Sequence, residues 1–297
     1  MIPVIWLIAT ITFILMHSTP GSPFQARAGE KTPPGLEASF NRKYGLDKPL
    51  YQQYFIFLGN AVQFDWGVSF MQSDRPVTEI IREGFPYSAR IGVIAFIIAI
   101  VVGVPLGIIA ALKQNTWVDY LSLFIATAGY TIPSFVLAIF LLLLFGVRYP
   151  ILPIIWEDSW KNYVLPSAVL GFASAAFIAR LTRSSMLEIV RQDYVRTARA
   201  KGLRNNTVTI RHIVRNGLIP VVTIMGPALA ALVTGTLIIE RVFTIPGIGG
   251  LYFEAISRRD YPLIMATTLF YAFFIAVGNL MVDVVYGFVD PRIRSNY

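Results

Sequence analysis

The sequence predicts an all-α, polytopic membrane protein with six transmembrane helices and both termini in the cytoplasm. Three observations carry that prediction. The chain is too apolar for a soluble domain: of 297 residues 55% are hydrophobic and 14% charged, where roughly a quarter are charged in soluble domains. Six runs approach or reach the length of about 20 mostly apolar residues that a bilayer-crossing helix needs. The basic residues also gather on one side of those runs.

In chain order the runs are roughly Met1 to His17, Ile91 to Leu112, Tyr120 to Val147, Tyr163 to Ala179, Gly217 to Ile239 and Pro262 to Val289. The first reads as an anchor (1–17) rather than a secretory leader, because it has no charged lead and "HSTPGSP" offers no small-residue cleavage site. Residues 18–90 carry eight Lys/Arg against seven acids and read as an extracytoplasmic, partly folded region. Residues 91–297 hold the other five spans and a polar segment, 184–216. One face of the membrane receives 12 Lys/Arg (Lys113, the span from Arg180 to Arg215, and the tail "DPRIRSNY"), and the two short loops opposite receive five. The richer side is cytoplasmic by the positive-inside rule.

Spans two to five, so bounded, contain no ionisable residue, and span six contains only Asp283 near its end. Charges at membrane depth mark proton relays and ion sites, so no relay is visible. Small residues four apart, Gly103/Gly107, Gly226/Ala230 and Ala231/Gly235, suit close helix contact within the chain. Pro105, Pro133 and Pro227 are expected to kink their helices. There is no Cys and there are two distant His, His17 and His212, which excludes a Cys-based or His-clustered metal centre. No metal site and no cofactor are expected in this chain.

The exception to this apolar pattern is Arg180 to Arg215, which carries nine Lys/Arg against Glu188 and Asp193 for a net +7. Within it "SSMLEIVRQDYVRTARAKGL" has helical periodicity, with Leu187, Val190, Tyr194 and Ala198 on one face. Gly202 reads as a C-terminal cap, "RNN" as a turn, and "TVTIRHIVRNGL" as a second helical run. A topology signal or a helix lying on anionic lipid would also be basic. Neither requires Gly202 or the small alanines.

"DYVRTARAKGL" followed by "RHIVRNGLIP" resembles the cytoplasmic loop of ABC importer permeases of the dipeptide/oligopeptide/nickel branch. Importer permeases share a Glu-Ala-Ala pattern followed three residues later by Gly. Here Arg196, Thr197 and Ala198 stand at the first three positions and Gly202 at the glycine, so Ala198 and Gly202 match. "YGLDKPLYQQYFIFLGN", "FDWGVSF", "RIGVIAFIIAIVVGVPLGIIAALKQNTWVD", "GYTIPSFVLAIFLLLLF", "VFTIPGIGGLYFEAISRRDYPLIM" and "VDVVYGFVDPRIR" are similar to the B-type peptide permease subunits. The chain departs from them in "PGSP", where Pro-Gly-Asp-Pro is usual, and in lacking a basic lead before the first span, which suggests a trimmed or misassigned start.

The resemblance implies the type I importer permease fold and a subunit that forms half of a pathway for di- or oligopeptides in a bacterial or archaeal cytoplasmic membrane. It implies a homologous second permease, two ATP-binding subunits that carry ATP and Mg, and an extracytoplasmic solute-binding protein. Asp193, Tyr194, Val195, Arg196, Ala198, Arg199, Ala200, Lys201, Gly202 and Leu203 would dock on the ATPase, with Tyr194 and Val195 filling its pockets and Ala198 and Gly202 allowing close approach. Pro246, Gly247, Arg259 and Asp260 would form an outer gate or receive the binding protein. Arg258, Arg259 and Asp260 could instead anchor at the headgroup level. Nickel and glutathione are alternative cargoes in the same branch.

The chain has no G-x-x-x-x-G-K-[ST] phosphate loop, so it is expected to be a transport subunit and not an enzyme. A self-sufficient secondary transporter would need inverted repeats or an ionisable pathway residue. An intramembrane enzyme would need a catalytic constellation inside the spans.

Overall fold

The computed structural model describes residues 2–19, 21, 23–24, 34–72 and 75–289. These form twelve main helices: α1 (Ile2–Ser18), α2 (Pro34–Tyr44), α3 (Leu50–Val62), α4 (Val77–Leu112), α5 (Trp117–Thr131), α6 (Ser134–Leu142), α7 (Trp160–Val190), α8 (Asp193–Ala200), α9 (Ile219–Val233), α10 (Leu237–Val242), α11 (Ile248–Arg258) and α12 (Tyr261–Val289). A π-helical turn, Leu143–Arg148, continues α6. Among the described residues the β-structure is a single bridge between Val68 and Pro76.

Four stretches are long and apolar enough to cross a membrane: α4, α7, Ile219–Val242 and Tyr261–Val282. The expected third span, Tyr120 to Val147, is two helices bent by 95° between Thr131 and Ser134. Pro133 explains the break, since it supplies no N–H and restrains Ile132 before it to extended backbone, ψ 120°. Pro105 and Pro227 lie inside the unbroken α4 and α9. At 17 residues, α1 is about 26 Å long at 1.5 Å per residue, short of a hydrocarbon core of about 30 Å.

Two long helices run past their expected bounds. α4 begins at Val77, fourteen residues before the apolar run. Glu79 sits in its first turn, where a negative charge suits the helix dipole, and Arg75 pairs with Glu79 at 3.4 Å and Glu83 at 2.8 Å. α7 continues through Arg180 and Arg183 to Val190, because both guanidinium groups find partners. The first lies over the Tyr130 ring at 4.2 Å; the second binds Asp119.

The described residues fall into two compact units. One comprises Met1–Ser88, Thr234–Arg241 and Ile245–Ala276; the other comprises Ala89–Val233, Val242–Thr244 and Val277–Tyr297. In the first, Phe13 and Met16 of α1 pack with Val77, Ile80 and Ile81 of α4, Ile248 and Ala255 of α11, and Leu263 and Met265 of α12. Phe24, Phe40 and Phe70 form a separate aromatic cluster.

In the second unit the small residues decide how closely helices approach. Gly103 and Gly107 of α4 face α7: a Cβ at Gly103 would lie 2.7 Å from the Ala175 carbonyl oxygen, and one at Gly107 would lie 2.5 Å from both the Ala179 carbonyl oxygen and Thr182 Cβ. Gly278 of α12 meets the Gly226 carbonyl oxygen and Ala230 in the same way. The pair Ala231/Gly235 does not form such a face, because Gly235 lies beyond the end of α9 with φ +98°. Gly107→Leu is expected to destabilise the fold by about 1–3 kcal/mol through overpacking against backbone that cannot yield, read as a lower midpoint of unfolding in detergent. A surface change such as Phe124→Leu should leave that midpoint in place.

Candidate functional site

The basic segment is built on α8. The helix expected to run on from Ser184 instead stops at Val190 and restarts at Asp193, with Gln192 in extended backbone (φ −71°, ψ 146°). That break rotates the following residues, so Tyr194 does not continue the apolar face of Leu187 and Val190. Val195 and Ala198 point inward instead, 0% and 5% exposed, against Ala111, Met186, Val208 and Ile213. Asp193, Tyr194, Arg196, Arg199 and Ala200 are exposed on the other side.

α8 ends in a Schellman motif. The Gly202 N–H donates to the Arg199 carbonyl at 2.9 Å and the Leu203 N–H to the Ala198 carbonyl at 3.4 Å, with Gly202 at φ +75°. Glycine reaches that conformation without the clash a Cβ makes. Lys201, Gly202 and Leu203 are exposed, and a Cβ at Gly202 would meet nothing within 4 Å. The chain then returns through Asn205–Thr207, the π-helical Val208–Val214 and Arg215–Gly217. Asn216 Nδ2 donates to the Tyr194 hydroxyl at 3.0 Å, tying α8 to this return.

In the same unit a buried ion pair joins α5 to α7. Arg183 Nε and Nη2 donate to Asp119 Oδ1 and Oδ2 at 2.6 and 2.8 Å, and the Asn115 N–H donates to Asp119 Oδ2 at 3.0 Å. Asp119 is 1% exposed. A two-pronged guanidinium contact fixes direction as well as distance.

The other unit holds a carboxylate cradle. Glu240 of α10 is 2% exposed. It accepts from Ser88 Oγ at 2.8 Å, the Gly250 N–H at 3.0 Å and the Thr236 N–H at 3.3 Å, while Ser88 Oγ accepts the Ile248 N–H at 2.9 Å. Nearby, Asp260 is 1% exposed and accepts from Ser69 Oγ, the Phe70 N–H at 3.1 Å and the Met71 N–H at 3.4 Å. Burial pushes the Asp260 carboxyl above its ordinary range, and these hydrogen bonds oppose the shift.

Known proteins share this sequence along its whole length. The family described as "Binding-protein-dependent transport system inner membrane component" matches residues 103–295, and its N-terminal companion, "Binding-prot-dependent transport system membrane comp, N-term", matches residues 1–92. The chain belongs to this permease family. The dipeptide transport system permease protein DppB of Bacillus subtilis is 42% identical over 98% of this chain and 94% of its own length. The glutathione transport system permease protein GsiC of Escherichia coli is 39% identical over 99% of this chain and 96% of its own length. Among solved structures, the inward-facing MetNI methionine ABC transporter has a TM-score of 0.57 at 15% identity, covering 72% of this chain and 97% of that one. That likeness is one of fold. The chain is thus an inner-membrane permease of the ABC importer class.

The segment expected to dock is one exposed helix, and its inward pair, Val195 and Ala198, packs on Met186 and Ile213 of its own chain. Of the outer residues, Pro246 is exposed and Gly247 is buried beside Glu240. Arg259 is half-buried and forms the left-handed turn that ends α11, φ +56°. Asp260 is not a headgroup anchor, because it is enclosed by residues 69–71.

The spans are not free of ionisable groups either. Bounds drawn at Tyr120 and Ile239 left Asp119 and Glu240 one residue outside, yet Glu240 lies within Ile219–Val242, which is long and apolar enough to cross, and Asp119 within the first helix of the bent pair. The signal for Glu240 was its lone acidic position between an apolar helix and the glycines of "PGIGG". The Asp283 side chain and the tail from residue 290 lie outside the described residues.

Proposed function

We propose that this permease forms half of the translocation pathway of an ATP-driven importer of short peptides, and that α8 with Lys201–Leu203 is the element through which ATPase subunits drive it. The observation that carries the reading is α8 itself: a short helix anchored by Val195 and Ala198, capped by Gly202, and presenting Tyr194, Arg196, Arg199, Lys201 and Leu203 outward. A lever must be stiff, because ATP-driven movement is absorbed by a floppy loop and transmitted by a packed helix. Its basic face suits an acidic partner surface.

On this reading the chain hydrolyses nothing and carries no cofactor. ATP and Mg belong to two separate ATP-binding subunits, a homologous second permease completes the pathway, and an extracytoplasmic solute-binding protein delivers cargo. The chain crosses a bacterial or archaeal cytoplasmic membrane six times with both termini inside. α1 supplies the first crossing, since Ile2, Trp6, Ile11, Ile14 and Leu15 are exposed as a lipid-facing helix requires. The bent pair α5–α6 supplies the third. Pro246 and the left-handed turn at Arg259 form the outer surface on which the binding protein rests.

The peptide cargo is supported by the full-length similarity to the dipeptide permease, and the glutathione permease keeps the cargo within short peptides. In a strain deleted for this chain, its return is expected to restore uptake of labelled di- or tripeptides and leave Ni²⁺ uptake unchanged. Restoration of Ni²⁺ uptake with no peptide uptake would overturn the peptide assignment.

A further inference from the structure

In the first unit the buried carboxylate of Glu240 joins segments far apart in sequence. Span five breaks after Val233, at Thr234–Thr236, and the backbone there turns at Gly235 with φ +98°. α10 then brings Glu240 back under the segment Pro246–Gly250. The carboxylate accepts from Ser88 Oγ of α4, the Thr236 N–H of the break, and the Gly250 N–H of the first turn of α11. The Ile248 N–H is joined to the same cradle through Ser88 Oγ. Helix breaks and first turns leave such N–H groups without helical partners, so one side chain satisfies backbone N–H groups of two segments and holds the Ser88 side chain of a third.

The glycines are shaped to it. A Cβ at Gly247 would lie 2.5 Å from Ser88 Oγ and 2.6 Å from the Glu240 carboxyl carbon. At Gly249 it would lie 3.0 Å from Glu240 Oε2, and at Gly235 it would lie 2.9 Å from Ser88 Oγ. Gly247 is therefore required by the closeness of Glu240 and Ser88, and Gly249 by the Thr236–Leu237 backbone, 2.8 and 2.9 Å from its Cβ position, together with the carboxylate; neither has a positive φ.

We propose that Glu240 is a positioning residue of the transport cycle: its carboxylate clasps Pro246–Gly250 onto Ser88 of α4 and the break at Thr236, and the segment is released when the clasp opens. Transport consequences rest on the importer reading, but the clasp itself does not. Glu240→Gln keeps the size of the side chain and turns one acceptor into an NH₂ donor facing donors. It therefore opposes the clasp without emptying the site.

The chain has no cysteine, so Ile248→Cys, at a position 0% exposed, is a clean reporter. In the assembled transporter in membranes, that cysteine is expected to react slowly with a maleimide at rest. Adding Glu240→Gln should raise the labelling rate by about tenfold or more, equivalent to about 1.4 kcal/mol of opening. Ser88→Ala, which removes one donor from the opposite side, should raise it in the same direction by less. Peptide uptake by Glu240→Gln should lose maximal rate, and Ser88→Ala should lose less. Unchanged labelling in both Glu240→Gln and Ser88→Ala would overturn the clasp, whatever the uptake result. If Glu240→Gln does not assemble, Ser88→Ala alone decides. Faster labelling with normal uptake would overturn the role in transport and leave the importer assignment intact.

Discussion

Replacing Arg183 by Ala is expected to destabilise the protein by about 3–5 kcal/mol, the range seen when one partner of a buried ion pair is removed. The reason is the environment of Asp119. It is 1% exposed, and two of its three hydrogen bonds come from Arg183, leaving the Asn115 N–H alone to meet a buried charge. The double variant Asp119→Leu/Arg183→Met should recover most of that loss, because a well-packed apolar pair removes the desolvation of both ions. The check is a denaturant titration of the three variants in detergent beside the parent. Equal midpoints for Arg183→Ala and the parent would show that the pair does not hold α5 to α7.

The second large effect is expected at Val195. Val195→Asp places a carboxylate where a fully buried side chain packs on Met186, Val208 and Ile213, and an unpaired buried charge costs several kcal/mol. Insertion rests on the apolar length of the long helices, so it should be near normal while α8 lifts from its seat. Recovery of bound ATPase should fall at least tenfold, or about 1.4 kcal/mol, and uptake with it. Leu203→Ala is a useful companion, since the Leu203 side chain is exposed and only its backbone N–H closes the cap of α8. It should weaken ATPase binding without loosening α8, seen as unchanged protease resistance at Arg196 and Arg199.

The sequence made some of this fold legible because the responsible physics is local. Apolar runs showed α4, α7, α9 and α12, and the spacing of Gly103 and Gly107 announced a close approach that α7 fills. Gly202 was readable as a cap for the same reason: a left-handed turn at the end of a helix needs no long-range partner. The partners of Asp119, Glu240 and Asp260 were not legible, because what makes each tolerable is far along the chain. Arg183 is 64 residues from Asp119, Ser88 is 152 from Glu240, and Ser69 is 191 from Asp260.

The break at Gln192 was missed through periodicity. Leu187, Val190, Tyr194 and Ala198 fit one helical stripe in sequence, but α7 and α8 are separate helices and the stripe does not exist in space.

Entry of energy through α8, in a chain with no phosphate loop of its own, is checked by recovering the tagged protein from its native membranes in mild detergent and identifying by mass spectrometry what accompanies it, with Val195→Asp in parallel. A second permease and Walker-motif ATPases should accompany the parent chain, and the ATPases should be lost with Val195→Asp. Recovery of the parent alone or as a homo-oligomer, even after crosslinking, would contradict it, as would equal ATPase recovery with Val195→Asp.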